Sequence, residues 1–382
     1  MKKTLAIAAV CLAGCLAVTA AGCSKSTRNL AALSSNWYSD PDFKRIQPAF
    51  TDGDDNFAPE KVTYTVSQTG KSENSSFSVE YADGTYTTEF FAERIYADKL
   101  AEITKEEWRT PYEDVLSSGG YIVVYCYKTE LKIPSVTFKF GEETRIFENE
   151  YRTTLSYFLS VEDYLSPVYS LQEVKSTSPI DGGYMEVDRV YESFYTLSGS
   201  DVETVITDNL AEKDEDKISY HNVGGMAEHA YSVFDNTYLD VVVRGMRNMS
   251  SSLNQAISTY TPGTQIMDYV LTGSDTALCA SEEDSENQLA EIQNILKEKN
   301  LFVGGKIENE DGTTTEEKLK TVAVNVVFNN GELSGVSQRY WFAAADSKNK
   351  TRTLMVKYSV PLTYSLGTLE YVLKSIDSLP NV

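Results

Sequence analysis

Val79-Glu80-Tyr81-Ala82-Asp83-Gly84-Thr85-Tyr86-Thr87 alternates apolar and polar residues on both sides of Asp83-Gly84. Asp-Gly between alternating segments is a strong short-range signal for a β-hairpin, because glycine accepts the positive φ of a two-residue turn without a steric penalty. Near the other end of the chain, Val326-Val327-Phe328-Asn329-Asn330-Gly331-Glu332-Leu333-Ser334 shares its pattern of Val-x-aromatic-x-Asp/Asn-Gly-x-apolar-Ser/Thr. Each copy predicts antiparallel pairing within its own half of the chain. With helical segments in both halves, the expected fold is α+β: two domains, each an antiparallel sheet backed by helices.

Outward from the first copy, Val62-Thr63-Tyr64-Thr65-Val66 reads as a preceding strand, and residues 121–131 and 135–140 as strands parted by Pro134. Thr104 with Glu107, and Thr110 with Pro111 and Glu113, have capping-box spacing and predict two short helices. Leu239, Val242, Met246, Met249, Leu253 and Ala256 recur at intervals of three and four, a helical stripe. Ser281-Glu282-Glu283-Asp284 caps a further helix, and a last helix is expected over residues 366–378. Between the halves, Asp208, Glu212, Asp214, Glu215 and Asp216 crowd together, and the apolar pattern lapses until Met226. The expected organisation is therefore a leader over residues 1–22, a tether and loop over 23–60, an N-terminal domain over 61–205 and a C-terminal domain over 220–382.

The leader carries Lys2 and Lys3, then no charge through Ala21, and closes on Ala20-Ala21-Gly22-Cys23. That pattern is an export signal. It resembles a bacterial lipoprotein signal peptide, in which a lipobox of the type Leu/Ala-Ala/Ser-Gly/Ala-Cys directs a diacylglycerol onto the cysteine. Leu12-Ala13-Gly14-Cys15 also matches. Cys23 is the expected lipidation site, because Ser24-Lys25-Ser26-Thr27-Arg28 turns polar at once, whereas a cut at Cys15 leaves Leu16 to Ala21 on the mature chain. The resemblance covers the leader alone and implies an extracytoplasmic, lipid-anchored protein whose membrane partner is reached through acyl chains on Cys23.

Loss of residues 1–22 removes two lysines from 34 Lys+Arg and none of the 56 Asp+Glu, leaving a formal charge of −24. Such a surface repels phosphate backbones, so a nucleic-acid partner is not expected. Of five cysteines, Cys126 and Cys279 remain beyond the leader and Cys23. They do not make a disulfide framework, although an exported location permits one bridge between them. The 25 tyrosines suit half-buried sheet faces and binding surfaces alike.

Motifs that carry chemistry are sparse. His221 and His229 lie eight residues apart rather than four, against a helical zinc pair. Asp52-x-Asp54-x-Asn56 begins like a calcium loop but has Phe57 where glycine belongs and Thr63 where the bidentate Glu belongs. There is no nucleophile elbow, phosphate loop, dinucleotide fingerprint or Cys-x-x-Cys pair. The expectation is a lipid-anchored surface protein that acts by binding rather than catalysis, with no metal, cofactor or catalytic residue assigned. A carrier of an apolar ligand in a curved sheet and a carboxylate-dependent carbohydrate enzyme are its alternatives.

Replacing Cys23 by Ala is expected to move the protein from the membrane to the soluble fraction and abolish labelling by a fatty-acid analogue. Label kept by Cys23→Ala but lost by Cys15→Ala assigns the anchor to the earlier cysteine instead.

Overall fold

The computed structural model describes residues 59–379, apart from 71–76, 110–112, 114–116, 162–163, 181–182, 197–199, 227–232, 246–253, 275, 309–310, 329–334 and 344–353. The first half contributes β1 (Glu60–Thr69), β2 (Phe77–Tyr81), β3 (Gly84–Ile95), α1 (Ala97–Ile103), β4 (Ile122–Phe140), β5 (Glu143–Val161), β6 (Tyr164–Ile180), β7 (Gly183–Tyr195), β8 (Val202–Asp208) and β9 (Ile218–Val223). The second contributes β10 (Val233–Asp235), α2 (Leu239–Gly245), β11 (Asn254–Tyr260), β12 (Ile266–Ser274), α3 (Glu282–Glu298), β13 (Lys306–Glu308) and β14 (Thr314–Glu316). It ends with β15 (Thr321–Phe328), β16 (Val336–Ala343), β17 (Met355–Pro361) and β18 (Thr368–Ser378).

Sixteen of these strands form one sheet, in the order β10-β11-β12-β15-β16-β17-β18-β1-β3-β4-β5-β6-β7-β8-β9, with β2 also on β4; β13 and β14 pair separately. The expected α+β fold of two helix-backed sheets is thereby corrected. The reason is the pairing of β1, which lies between β3 and the last strand, β18, so the strands of the two halves run into a single ladder. β10 joins β11 in parallel, which makes the sheet mixed. Its two ends curl toward each other and meet through side chains: Thr204 on β8 bonds the Tyr260 hydroxyl at 2.6 Å, and His221 Nε2 lies 2.7 Å from the Thr264 carbonyl oxygen. Tyr195, Val202, Val233 and Tyr260 pack into one apolar cluster at that seam.

Asp83-Gly84 is not a hairpin turn. β2 does not pair with β3; both pair with β4 in one unbroken register, from Phe77↔Phe140 through Tyr81↔Val136 to Thr85↔Lys132 and Ile95↔Ile122. The gap falls opposite Pro134, which has no N–H to give the ladder. On the other flank of Pro134 stands Asn149, with φ of 58°, and the β4–β5 register passes over that pair without shifting. Asp83, Pro134 and Asn149 thus form a crease across three strands, and β4 runs straight through its proline for 19 residues. Gly84 is needed at the crease for closeness, not for positive φ: a Cβ there would lie 2.4 Å from the Lys132 carbonyl oxygen. The second copy is a hairpin between β15 and β16, but Asn330-Gly331 lies outside the described residues.

Other expectations divide by period. α3 forms where its cap predicts, with the Ser281 hydroxyl accepting from Asp284 N at 3.1 Å. Residues 366–378 do not form a helix. Val66↔Tyr371 and Lys357↔Val372 show that this segment fills the slot between β1 and β17 as β18, and tertiary pairing overrides its three-and-four spacing. Of the two first-half helices expected, the Thr104 and Glu107 spacing meets a 3-10 turn, Glu106–Trp108; in the second, Glu113 and Ser117 are helical, with 110–112 and 114–116 outside the described residues. α1 precedes both and packs Leu100 and Ile103 on one outer face of the sheet. α2 carries Leu239 and Val242 of the expected stripe, Ala256 lies on β11, and Met246, Met249 and Leu253 lie outside the described residues. The acidic stretch after Asp208 makes a 3-10 turn, Asp214–Asp216, between β8 and the edge strand β9.

Gly84→Ala is expected to cost about 2–3 kcal/mol, because backbone of two strands must part. Gly183→Ala, whose added Cβ meets nothing nearer than Ile180 at 3.9 Å, should change stability by less than about 1 kcal/mol. Urea unfolding of the two variants checks the contrast, and equal effects would remove close approach as the reason for Gly84.

Candidate functional site

The concave face of the sheet is occupied by the chain's own residues 233–245. Val233-Phe234-Asp235 forms β10, Asn236–Tyr238 makes a 3-10 turn, and α2 follows at once. Asp235 caps the turn, accepting from Thr237 N at 2.8 Å, as a short carboxylate does at a helix start. Leu239, Val241, Val242 and Val243 are all buried, and a helix apolar on every side belongs in an interior.

Four polar side chains of this plug each meet a different strand. Tyr195 on β7 donates to Asp235, and Thr237 bonds Ser156 on β5 at 2.6 Å. Tyr127 on β4 donates to Asp240. Arg244 binds Glu60 of β1 with both nitrogens, at 2.5 and 3.0 Å, and both residues are buried. Room for the plug comes from a row of small residues directly opposite one another, Ser156, Ser170, Ser193 and Thr204, all fully buried.

Beside the plug the interior is not filled. One cavity of about 110 Å³ lies between Asp240 and Leu239 on the plug and Tyr86, Thr154, Gln172, Tyr340 and Tyr358 on the wall. A second, about 220 Å³, adjoins it and shares Leu131, Arg152, Gln338, Tyr358 and Tyr371. Four tyrosines continue across the wall, Tyr340, Tyr358 and Tyr371 as register neighbours and Tyr86 reaching across β1, with ring centroids 4.6 Å apart for Tyr340–Tyr358, 4.8 Å for Tyr358–Tyr371 and 5.3 Å for Tyr371–Tyr86. Burial, foremost, holds the phenols of Tyr86, Tyr127 and Tyr340 well above their ordinary range, and the Asp240 carboxylate adds to it, so they stay neutral hydroxyls. Part of the tyrosine excess is accounted for here, on a face that is both sheet wall and cavity lining.

The charges at this cleft are unevenly matched. Arg152, on β5, is exposed at its mouth and has no hydrogen bond or ion pair among the described residues. Asp240 accepts from Tyr127 and from Val241 N at 2.9 Å but has no cation of its own, and burial raises its carboxyl to about 6. Glu150, which lines the second cavity, accepts from Thr177 N at 2.7 Å, and burial raises it to about 7.

None of the residues singled out from sequence for lipidation, metal or thiol chemistry is among the described lining of the cleft. His221 serves the seam, while Cys23, Asp52, Asp54, Asn56 and His229 lie outside the described residues. Cys126 and Cys279 are free, and burial pushes the Cys126 thiol up, out of the reactive range. No group of three His, Cys, Asp or Glu suited to a metal occurs among the described residues. Arg152 and Asp240 carried no signal beyond the tyrosine count, because they are 88 positions apart and meet only when β5 and the plug do.

No family model matches the chain, and no curated protein matches it. Among solved structures it is similar to a beta-barrel-like protein of a domain of unknown function, DUF1849, from Brucella abortus, at 8% identity and a TM-score of 0.41, with 84% of this chain and 97% of that one covered.

The raised carboxyls have a consequence for stability. Asp240 and Glu150 bind protons more tightly in the folded chain than in the unfolded one, so each adds stability at low pH that is lost as pH rises from about 4 to about 7. Asp240→Asn and Glu150→Gln should each gain on the wild type over that window, by on the order of 2–3 kcal/mol. Urea melts at pH 4 and pH 7.5 check this, and a pH-independent difference would show that neither carboxyl is strained by ionising.

Proposed function

We propose that this chain is an exported, lipid-anchored protein that binds a small polar ligand in the cleft beside its interior plug, without catalysing a reaction on it. The reading of residues 1–23 supports the anchor, since Cys23 follows an uncharged run and opens a polar tether. The observation that carries the ligand is Arg152, an unpaired guanidinium at the mouth of two adjoining cavities walled by tyrosine. Convergent polar groups on a concave, aromatic surface are the usual makings of a small-molecule site. The lining favours a polar ligand over the purely apolar cargo of a lipid carrier, because Arg152, Thr154, Gln172, Gln338 and Asp240 share it with the tyrosines.

A carboxylate-dependent carbohydrate enzyme is the second reading, favoured by two carboxyls with raised proton affinity, Asp240 and Glu150, on adjoining cavities. Turnover of chromogenic glycosides that is lost in both Asp240→Asn and Glu150→Gln would select it.

A thermal-shift screen of the full chain against amino acids, sugars and small carboxylates tests the binding reading. At least one compound should raise the melting midpoint by several degrees at about 100-fold excess over its Kd. The shift should vanish in Gln172→Trp, which fills the cleft, and weaken in Arg152→Gln. Shifts that persist in both variants, or no shift from any compound, would remove the cleft as the site.

A further inference from the structure

Arg152 and Asp240 border the same cavity of about 110 Å³ with opposite charges, yet the protein pairs them neither with each other nor, among the described residues, with any other ion. Arg244 is the cation one turn beyond Asp240, and it is committed to Glu60 through both nitrogens. Tyr358 lines this cavity and the adjoining one together with Arg152, and burial, foremost, holds its phenol above the ordinary range, with Tyr371 and Asp240 adding to the shift and Arg152 opposing it. The absence of a cation is costly for Asp240, which is buried, whereas Arg152 is exposed at the mouth and its guanidinium stays free for an incoming group. Two opposite charges that share a space without meeting leave a gap for a molecule bringing the complement of each. The cavity adjoining this gap adds an apolar lining from Leu131, Val360 and Leu369.

We propose that the ligand of the cleft is a small zwitterion, an amino-carboxylate, with its carboxylate on the Arg152 guanidinium, its ammonium at Asp240 among the tyrosines, and its apolar body in the adjoining cavity. This rests on the cleft being the ligand site. The fork of a guanidinium matches a carboxylate in two parallel bonds, whereas an ammonium takes a carboxylate and electron-rich ring faces together. Neutral sugars would leave both charges uncompensated, and a simple anion would answer only Arg152.

Calorimetric titration of the full chain in detergent tests this with two zwitterions of different span, L-leucine and 6-aminohexanoate. Each is compared with its one-charge relatives: leucinamide and N-acetyl-leucine for the first, hexylamine and hexanoate for the second. At least one zwitterion should bind, and both of its relatives should bind about tenfold or more weakly. Arg152→Gln should erase the preference for the free carboxylate, and Asp240→Asn the preference for the free ammonium. A one-charge relative that binds as tightly as its zwitterion overturns the proposal. So does a failure of both zwitterions when another compound occupies the cleft in a manner sensitive to Gln172→Trp, a result that leaves the cleft standing. If no compound at all occupies the cleft, the site and its zwitterion fall together. Should Asp240→Asn not fold, Arg152→Gln decides alone, since its side chain is exposed: a carboxylate preference that survives it overturns the proposal.

Discussion

The two-pronged pair between Glu60 and Arg244 is the contact on which the interior depends. It joins the first residue of β1 to the last turn of α2, and it is buried at both ends. Buried pairs of this kind add little net stability over apolar residues of the same size, since two charges must leave water to form them. What they impose is position, because either partner left alone costs several kcal/mol. With Arg244 held on β1, Asp240 on β4, Thr237 on β5 and Asp235 on β7, four polar side chains fix the placement of the plug against four strands. The cleft is the volume that this placement leaves over, so its walls are set by these contacts, two of whose residues, Thr237 and Asp240, also line it.

Local signals were read well where local physics decides. Ser281 with three acids behind it starts α3, because a cap and a charged first turn act within five residues. Alternation around Tyr64 and Tyr86 marked true strands. Sequence reading failed where partners are remote. Asp83-Gly84 has the chemistry of a turn, yet its neighbours continue in one register because Pro134, some 50 positions on, calls for a break just there. The Leu366, Leu369, Leu373 and Ile376 spacing suits a helix, but the open edges of β1 and β17 demand a strand.

The cleft was less legible than the fold, for the same reason in stronger form. Its walls come from β3, β4, β5, β6, β16, β17, β18 and the plug, and outside residues 236–240 of the plug no short stretch of sequence supplies more than two of its residues. Glu60 was assigned to a loop because nothing nearby marks it as buried, and its partner is 184 residues away. Tyrosine abundance was the one compositional trace, and it pointed equally to sheet surface and to binding.

The pairing of β1 with β18 also bears on how the chain is made. Thr63 on β1 bonds Asp377 near the end of the chain, 314 residues later. Thr63 leaves the ribosome 314 residues before Asp377, so the central ladder cannot close until that whole stretch has been made. Until then β1 has one bare edge of backbone donors and acceptors, the kind of surface that recruits stray strands. Pairings so distant in sequence form slowly, because a long loop must be ordered before any contact rewards it. The nascent protein therefore passes through a prolonged incomplete stage, in which its safety rests on whatever escorts the unfinished edge rather than on its own stability.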